Sequence, residues 1–225
     1  MKTLTQSRWP MFGWTQVQQW RREMRLRQVI FSAQTQREIV QAGQQFGISP
    51  ALIASILADE RTRLDAADHF QNALMRLSML LPDWAEQLLI QSIERACGRS
   101  VDTFSLGRAQ MKGGTLARLS AEGHLPVLTS ASQSRHFLLS DGQAPFLVAA
   151  CLRSTVDYWQ RGGVDLLENP AVLGTLYSLG ITGKRGVHAD PQPSVRGRAI
   201  AAHAKWLARP SQGVFGNFSG QLSAV

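Results

Sequence analysis

The chain has 225 residues, of which 44% are hydrophobic, and this is enough for one domain with a sizeable core and an added arm. It contains no run of about 18 apolar residues, so we expect no integral membrane segment. The net charge of +8 suits a polyanionic partner such as nucleic acid, an anionic membrane or the bacterial cell wall, and it does not choose among them.

Cysteine and histidine spacing argues against a metal site. Cys97 and Cys151 belong to no CxxC motif, and the five histidines form no HExxH or HxxxH pair, so we predict neither a metal nor another cofactor. Each cysteine has apolar or helical surroundings in the sequence, and we expect two buried free thiols. Residues 1–20 lack the apolar region of a secretory signal peptide, so we expect synthesis in the cytoplasm and export by another route.

Helical periodicity dominates the chain, and we predict a mainly α fold with at most a small β-hairpin near 120–140. The predicted helices lie at 14–45, 49–60, 71–96 with a break at Pro82, in a short stretch after 115, at 145–160, 169–180 and 200–207. We divide the chain into an N-terminal helical extension (1–44), a main domain (45–208) and a flexible C-terminal tail (209–225).

The helix at 49–60 is the best-marked element. Ser49 is a good N-cap and Pro50 takes the first helical position, where its missing N–H costs nothing. An apolar stripe follows at helical spacing, formed by Leu52, Ile53, Ile56 and Leu57. Glu60 continues this stripe, and partial desolvation there would raise its pKa, as a general acid requires. The alternative is that Glu60 ends the helix in solvent and pairs with Arg61 or Arg63.

Two later segments also combine turn signals with polar groups. In the segment 98–114, glycines alternate with small and polar residues, a pattern that often lets the backbone approach a ligand. In the last well-marked helix, Asn169 caps the start and Gly180 stops the end. Tyr177 falls on the buried side of that helix, where its hydroxyl needs a partner.

Three motifs occur in an order that resembles the lysozyme-like superfamily, specifically goose-type lysozymes and soluble lytic transglycosylases. A helix ends in Glu60, a Ser-x-Gly-x-x-Gln segment spans 105–110, and a late helix ends in Tyr-Ser-Leu-Gly at 177–180. The resemblance covers about residues 45–185. The chain departs from the family pattern at Arg61 (serine in the family), at Arg108-Ala109 (Leu-Met) and at Ser178 (asparagine), and by a longer gap before Ser105.

The resemblance implies a lysozyme-like catalytic domain at 45–208 that cleaves the β-1,4 bond between N-acetylmuramic acid and N-acetylglucosamine. Glu60 would be the general acid that protonates the glycosidic oxygen. Ser105 and Gln110 would hydrogen-bond the substrate or orient the acid. Tyr177 would support Glu60 or the positive charge that develops on the sugar.

A second carboxylate is the open part of this site. Asp102 is the leading candidate because it precedes the motif at 105–110, and Asp65 and Asp68 are weaker candidates. If none lies across the sugar, the N-acetyl group of the substrate would act as nucleophile. The product would then be either hydrolysed or a 1,6-anhydro sugar.

The cell wall lies outside the cytoplasm, so the enzyme would need delivery. We expect an antibacterial effector injected into the periplasm of a target cell by a type VI-like secretion machine, with a cognate immunity protein that occludes the cleft. A phage endolysin released through a holin is the alternative.

Two readings from other classes stay open. Arg21 to Arg27 and the basic segment 184–198 form charge clusters that fit a helical nucleic-acid-binding protein, although we favour solvated faces and do not expect nucleic acid as the partner. The changes at Arg61 and Ser178 also fit a wall-binding module that keeps the fold without catalysis.

Overall fold

The computed structural model describes the backbone of residues 12–209 and the side chains of residues 16–82 and 84–209. Within that range the chain is mainly helical, as predicted, with an isolated antiparallel β-bridge between Leu106 and Met111. The α-helices are α1 (Phe12–Leu26), α2 (Ala33–Phe46), α3 (Pro50–Arg63), α4 (Ala66–Ser78), α5 (Asp83–Cys97), α6 (Gly113–Ala121), α7 (Ala131–Leu139), α8 (Ala144–Arg161), α9 (Pro170–Leu179) and α10 (Val195–Leu207). Short 3-10 helices cover Val101–Thr103 and Asp141–Gln143.

Helix α3 is the centre of the fold. Every residue from Ala51 to Glu60 is buried, and the helix packs against α1, α2, α8, α9 and α10. The predicted apolar stripe is therefore only part of a helix that is enclosed on all sides, as expected for a helix in the middle of a core. Pro50 occupies the first turn as predicted, but the Ser49 side chain makes no capping hydrogen bond.

Several helix boundaries differ from prediction because capping side chains start new helices. The helix predicted at 14–45 is two helices, and the Ser32 side chain accepts from the Thr35 N–H at the start of α2. The Ser130 side chain caps α7, so a helix occupies part of the region at 120–140 where we allowed at most a small β-hairpin. Helix α10 begins at Val195 rather than at 200 because Ser194 caps it. This earlier start places Arg196 in its first turn.

The predicted boundary between an extension and the main domain at residue 44 falls inside α2. Ile39, Ala42 and Phe46 of this helix belong to the main hydrophobic core, and Leu26 at the end of α1 is fully buried. The described part of 1–44 therefore shares one core with the rest of the chain. The predicted tail lies outside the described residues from 210 onward.

The two cysteines differ in environment. Cys151 is a buried free thiol as expected, but Cys97 is exposed because it ends α5 at the surface. Among the described helices, none combines the length and the hydropathy that crossing a bilayer demands.

Candidate functional site

A cleft of about 540 Å³ opens at the C-terminal end of α3. Of the predicted site residues, Glu60, Ser105, Gln110 and Tyr177 all line it, although they come from three distant parts of the chain. The complete lining is Glu60, Arg63, Leu64, Asp68, Ser105, Gln110, Met111, Lys112, Thr115, Cys151, Tyr177, Ser178, Leu179, Gly180 and Arg196. The cleft therefore joins two carboxylate residues, Glu60 and Asp68, to several hydrogen-bonding groups and three cations.

Glu60 does not pair with Arg61 or Arg63 but with Arg196 of α10. Arg196 Nη2 donates to Glu60 Oε1 at 2.6 Å, and its Nε donates to Asp59 Oδ2 at 2.6 Å. Asp59 is fully buried and Glu60 is 8% exposed. One guanidinium thus bridges two consecutive carboxylates at the inner end of the cleft.

The Glu60 carboxyl has a pKa above its ordinary value. Burial is the largest cause, and the charge and hydrogen bond of Arg196 act in the opposite direction without cancelling it. The pKa of Arg196 is raised as well: burial alone would lower it, but the two carboxylates outweigh burial. Arg196 binds only Oε1 of Glu60, so Oε2 has no protein donor among the described residues and is available to a ligand in the cleft.

The position of Arg196 depends on a close approach between α9 and α10. A Cβ at Gly197 would lie 2.1 Å from the Ala171 carbonyl oxygen and 2.1 Å from the Thr175 hydroxyl, so only glycine fits there. The Thr175 hydroxyl also accepts from the Ser194 N–H. These contacts fix the first turn of α10 against α9 and hold Arg196 over Glu60.

The segment from Leu106 to Met111 forms a tight closed loop. The two end residues exchange backbone hydrogen bonds, Leu106 N–H to Met111 O at 3.0 Å and Met111 N–H to Leu106 O at 3.2 Å. Gln110 has φ +48°, an uncommon value for a residue with a side chain, and its Nε2 donates to the Gly107 carbonyl at 2.8 Å. Backbone strain at a ligand-facing residue is typical of a functional loop.

Helix α4 and Gly107 hold this loop from behind. Gln71 donates to the Ser105 carbonyl at 3.0 Å, and Asn72 accepts from the Gly107 N–H at 2.9 Å. Gly107 has φ +69°, and a Cβ there would lie 1.9 Å from the Leu138 carbonyl oxygen. The glycine at this motif position is therefore required by both its backbone conformation and its packing.

Tyr177 joins α9 to the same loop. Its hydroxyl donates to the Ala109 carbonyl at 2.6 Å, which supplies the partner that the sequence required. Burial raises the pKa of Tyr177 well above its ordinary value, and the nearby Glu60 carboxylate adds to this effect. Tyr177 is thus a neutral hydrogen-bond donor that positions the loop, one residue before Gln110.

The structure does not bring Asp102 to the cleft. Asp102 is exposed in the first 3-10 helix, beside Gly113 at the start of α6, because the chain turns there before it enters the loop. Of the weaker candidates, Asp68 lines the cleft and Asp65 does not. Asp65 and Asp68 form a reciprocal capping box at the start of α4, where the Asp65 N–H donates to Asp68 Oδ2 at 3.2 Å.

Sequence reasoning did not place three cations at the site: Lys112, Arg196, and Arg63, which we had considered only as a partner of a solvent-exposed Glu60. We placed Arg196 in the basic segment 184–198, ahead of the helix predicted at 200–207, although Ser194 followed by a helix-compatible run is a capping signal that could have extended that helix. Nothing local marks Lys112, whose place in the cleft follows from the closed loop before it.

The cleft has no obvious metal ligand set. Within residues 12–209, no group of three or more His, Cys, Asp or Glu side chains could hold a metal ion.

A comparison of the chain with protein-family models, curated proteins and solved structures gave no match. Chemically, the site offers one buried carboxyl with a raised pKa, a strained polar loop and a flanking set of cations, an arrangement suited to proton transfer onto a polar ligand.

Proposed function

We propose that this protein cleaves peptidoglycan glycan strands, as a lysozyme-like muramidase or lytic transglycosylase, with Glu60 as general acid. The observation that carries the proposal is the convergence of Glu60, Ser105, Gln110 and Tyr177 on one cleft with a raised Glu60 pKa. Glycoside cleavage requires an acid that is still protonated near neutral pH, and burial in a partly apolar site is how proteins produce one.

The proton would leave from Oε2, the Glu60 oxygen that faces the cleft. Arg196 holds Oε1 and so fixes the orientation of the carboxyl group. Arg196 also stabilises the carboxylate that remains after proton transfer. It is therefore a positioning residue: it fixes the geometry of the Glu60 carboxyl group, and in doing so it lowers the pKa of Glu60 and the fraction that is protonated.

Gln110 and Ser105 are the groups that would hydrogen-bond the sugar. The strained backbone of Gln110 faces the cleft, and Tyr177 holds the preceding residue through the Ala109 carbonyl. Because the Tyr177 hydroxyl already has this acceptor, its role is to hold the loop rather than to donate to Glu60.

Asp68 replaces Asp102 as the candidate second carboxylate, because Asp68 lines the cleft. It would stabilise the oxocarbenium-like transition state or activate water. If Asp68 is dispensable, the N-acetyl group of the substrate would supply the nucleophile, and the product would be either the hydrolysed or the 1,6-anhydro sugar.

The nucleic-acid alternative loses support because several arginines of its two basic clusters make contacts within the protein. Arg27 pairs with Glu23 and lies 5.2 Å from the Trp206 ring centre, and Arg22 Nε lies 4.0 Å from Asp59 Oδ1. In the second basic cluster, Arg196 and Arg198 are both engaged inside the fold. These four guanidinium groups serve internal contacts, whereas Arg21, Arg25, Lys184 and Arg185 of the same clusters are exposed. Only part of each basic cluster is therefore open to a polyanion.

An enzyme of this kind would act in the periplasm of a target cell. Delivery by a type VI-like secretion machine, with an immunity protein inserted over Glu60, remains our favoured setting, and a phage endolysin is the alternative. The cleft at the end of α3 is the surface that such an immunity protein would have to cover.

The test is the loss of turbidity of purified peptidoglycan sacculi, followed by mass spectrometry of the released fragments. We expect lysis by the parent protein and a drop of about 10²–10⁴-fold for Glu60→Gln, since general acid catalysis contributes about this much. Glu38→Gln is the matched control, because Glu38 lies on α2 outside the cleft and bonds to Gln34. Equal lysis by the parent and Glu60→Gln would mean that Glu60 is not the acid.

Asp68→Asn and Asp102→Asn separate the candidates for the second carboxylate. A large loss for Asp68→Asn alone would assign it that role. No lysis by any protein, including the parent, would instead favour the wall-binding module, which predicts binding to sacculi without release of fragments.

A further inference from the structure

A second cavity, of about 550 Å³, lies on the other side of the wall of the first cleft. The two share Leu64, and the loop at 105–110 separates them. Ser105 and Gln110 face the first cleft, whereas Gly107 and Arg108 of the same loop line the second. The two cavities therefore adjoin at Leu64 and at this loop.

The second cavity has an excess of positive charge. Three arginines line it (Arg61, Arg76 and Arg108), and Asp141 is the single carboxylate among its lining residues. Arg76 Nη2 and Arg108 Nη2 bind the two oxygens of Asp141, each at 2.8 Å. Two guanidinium groups thus already converge on one carboxylate. Arg61 also lines the cavity, and its Nη1 donates to the Ile30 carbonyl at 3.3 Å.

These arginines are accessible to a ligand. The side chains of Arg76 and Arg108 are 50% and 51% exposed, and that of Asp141 is 44% exposed. Exposed ion pairs are worth about 0–1 kcal/mol, so an incoming carboxylate can share or replace Asp141 at small cost. The arginine fork also matches the planar carboxylate group.

The rest of the lining is mixed: apolar residues form much of the wall, and the polar residues Ser32, Thr35, His69 and Asn72 also line it. Phe31, Leu57 and Pro145 contribute to the wall, and Ile30 at the rim is 83% exposed. A cavity with apolar walls and several guanidinium groups suits a ligand that carries both carboxylates and short aliphatic groups. An acidic peptide has this chemistry, whereas a phosphate polymer gains nothing from the apolar walls.

We propose that this second cavity binds the acidic peptide stem of peptidoglycan while the glycan strand occupies the Glu60 cleft. The proposal rests on the proposed function. The stem branches from the muramic acid sugar, so a sugar held near Glu60 would carry its peptide across Leu64 into the basic cavity. Its carboxylates would bind Arg61 and Arg108, and its alanine methyl groups would contact the apolar wall.

The direct test measures binding of a synthetic stem peptide, L-alanyl-γ-D-glutamyl-meso-diaminopimelyl-D-alanine, to the full chain by calorimetry. We expect Arg61→Gln and Arg108→Gln each to weaken binding about three- to fivefold, and the double variant about tenfold or more, as loss of exposed ion pairs predicts. Arg95→Gln is the charge-matched control, because Arg95 is exposed on α5 outside both cavities. The parent protein should bind the same peptide with amidated carboxyl groups no more tightly than the double variant binds the unmodified peptide.

Three outcomes of this test would overturn the proposal. They are absence of peptide binding to the parent, equal binding of the amidated peptide, and no loss in the double variant. A thymidine hexanucleotide that binds the cavity more tightly than the peptide would also overturn it, in favour of a nucleic-acid ligand.

A second measurement links the cavity to catalysis. We compare the rates at which the protein cleaves intact sacculi and glycan strands from which an amidase has removed the stems. The parent and Arg95→Gln should prefer stem-bearing strands, and the double arginine variant should lose this preference. If the parent cleaves neither substrate, the proposed function fails, while the peptide-binding result still shows whether the cavity takes an acidic peptide.

Discussion

Two clusters of arginine and carboxylate groups lie on opposite sides of the loop at 105–110, and they have opposite ratios of arginine to carboxylate. Behind the Glu60 cleft, one arginine, Arg196, serves two carboxylates, and all three side chains are at most 13% exposed. In the second cavity, two arginines share Asp141, and the three side chains are about half exposed.

The difference in burial decides what each cluster can do. A buried charge that loses its partner has no water to replace it, so the inner cluster must stay intact for the fold to be stable. An exposed charge that loses its partner is solvated at once. The inner cluster therefore fixes geometry, and the outer cluster is free to exchange its carboxylate for that of a ligand.

The largest effect should come from removing the arginine of the inner cluster. Arg196→Met leaves Glu60 buried without a partner and leaves Asp59 with only the more distant Arg22, whose Nε lies 4.0 Å from Asp59 Oδ1. We expect it to lower the free energy of unfolding by about 3–5 kcal/mol at pH 7. Urea unfolding measures this value. Arg198→Met is the control on the same helix, since Arg198 makes one hydrogen bond to the Pro193 carbonyl.

The loss in Arg196→Met should also depend on pH. Without Arg196, the pKa of Glu60 rises further above its unfolded value, because the group that opposes burial is gone. In the folded variant, Glu60 carries an uncompensated charge above that pKa and is neutral below it. The difference in free energy of unfolding between the parent and the variant should therefore shrink as the pH falls through the pKa of Glu60 in the variant. Equal, small losses in Arg196→Met and Arg198→Met would mean that the inner carboxylates are solvated.

The next largest effect on stability should come from the loop at 105–110, which lies between the two clusters. Gly107→Ala combines a left-handed backbone with a Cβ that would lie 1.9 Å from the Leu138 carbonyl oxygen. We expect a loss of about 2–4 kcal/mol, from strain together with forced displacement of the backbone.

Gly98→Ala separates the two contributions to that loss. Gly98 has a similar φ, +65°, but an added Cβ there would meet nothing within 4 Å. Its loss should therefore be about 1–2 kcal/mol, from strain alone. Equal losses in the two variants would show that the loop moves away from α7 without cost, and that it is not a rigid wall.

The inner side should also respond to acid through His203. This histidine of α10 is 1% exposed and its Nδ1 lies 3.0 Å from the Ser55 hydroxyl on α3. Burial, with a smaller contribution from the charge of Arg27, lowers the pKa of His203 to about 4 from 6.5. The folded state thus favours the neutral ring. The contribution of neutral His203 to the free energy of unfolding is fully present above pH 6.5. It is lost as the pH falls toward 4, and the total loss is about 3 kcal/mol.

Urea unfolding between pH 7 and pH 4 tests this contribution. His203→Gln should show a smaller fall in stability over that range than the parent. His136→Gln should keep the parental fall, because His136 is exposed on α7. If His203→Gln keeps the parental fall, other groups carry the acid sensitivity.

The sequence predicted those parts of the fold that depend on local signals. Pro50 and Gly180 mark helix ends that the structure confirms, and the break at Pro82 separates α4 from α5. Errors arose where a single serine starts a helix. We did not weigh Ser32 or Ser130 as caps, and so we merged α1 with α2 and predicted no helix where α7 lies.

The candidate site was only half predictable for a different reason. The order of three motifs was enough to select Glu60, Gln110 and Tyr177, because each motif is local. The partner of Glu60 is not local: Arg196 reaches it only because Gly197 lets α10 approach α9 closely. The spacing of residues in the sequence does not predict that contact between helices. It does not predict the position of Asp102 either, because a turn directs Asp102 away from the cleft.

The smallest effect on stability should come from the outer cluster. Asp141→Asn removes the carboxylate that Arg76 and Arg108 share, yet all three side chains are about half exposed. Water can solvate both guanidinium groups, so we expect the free energy of unfolding to change by less than about 1 kcal/mol. The contrast with Arg196→Met would establish that the two clusters differ in burial and not only in composition.

The same substitution should have its larger effect on binding. Asp141 competes with any incoming carboxylate for Arg76 and Arg108, so its removal leaves both arginines without an internal partner. We therefore expect Asp141→Asn to bind the acidic stem peptide more tightly than the parent, by up to about fivefold, at nearly unchanged stability. Weaker binding would mean that Asp141 holds the arginines in place for the ligand. The outer cluster would then be a preorganised site like the inner one, and the two sides of the loop would differ less than their exposure implies.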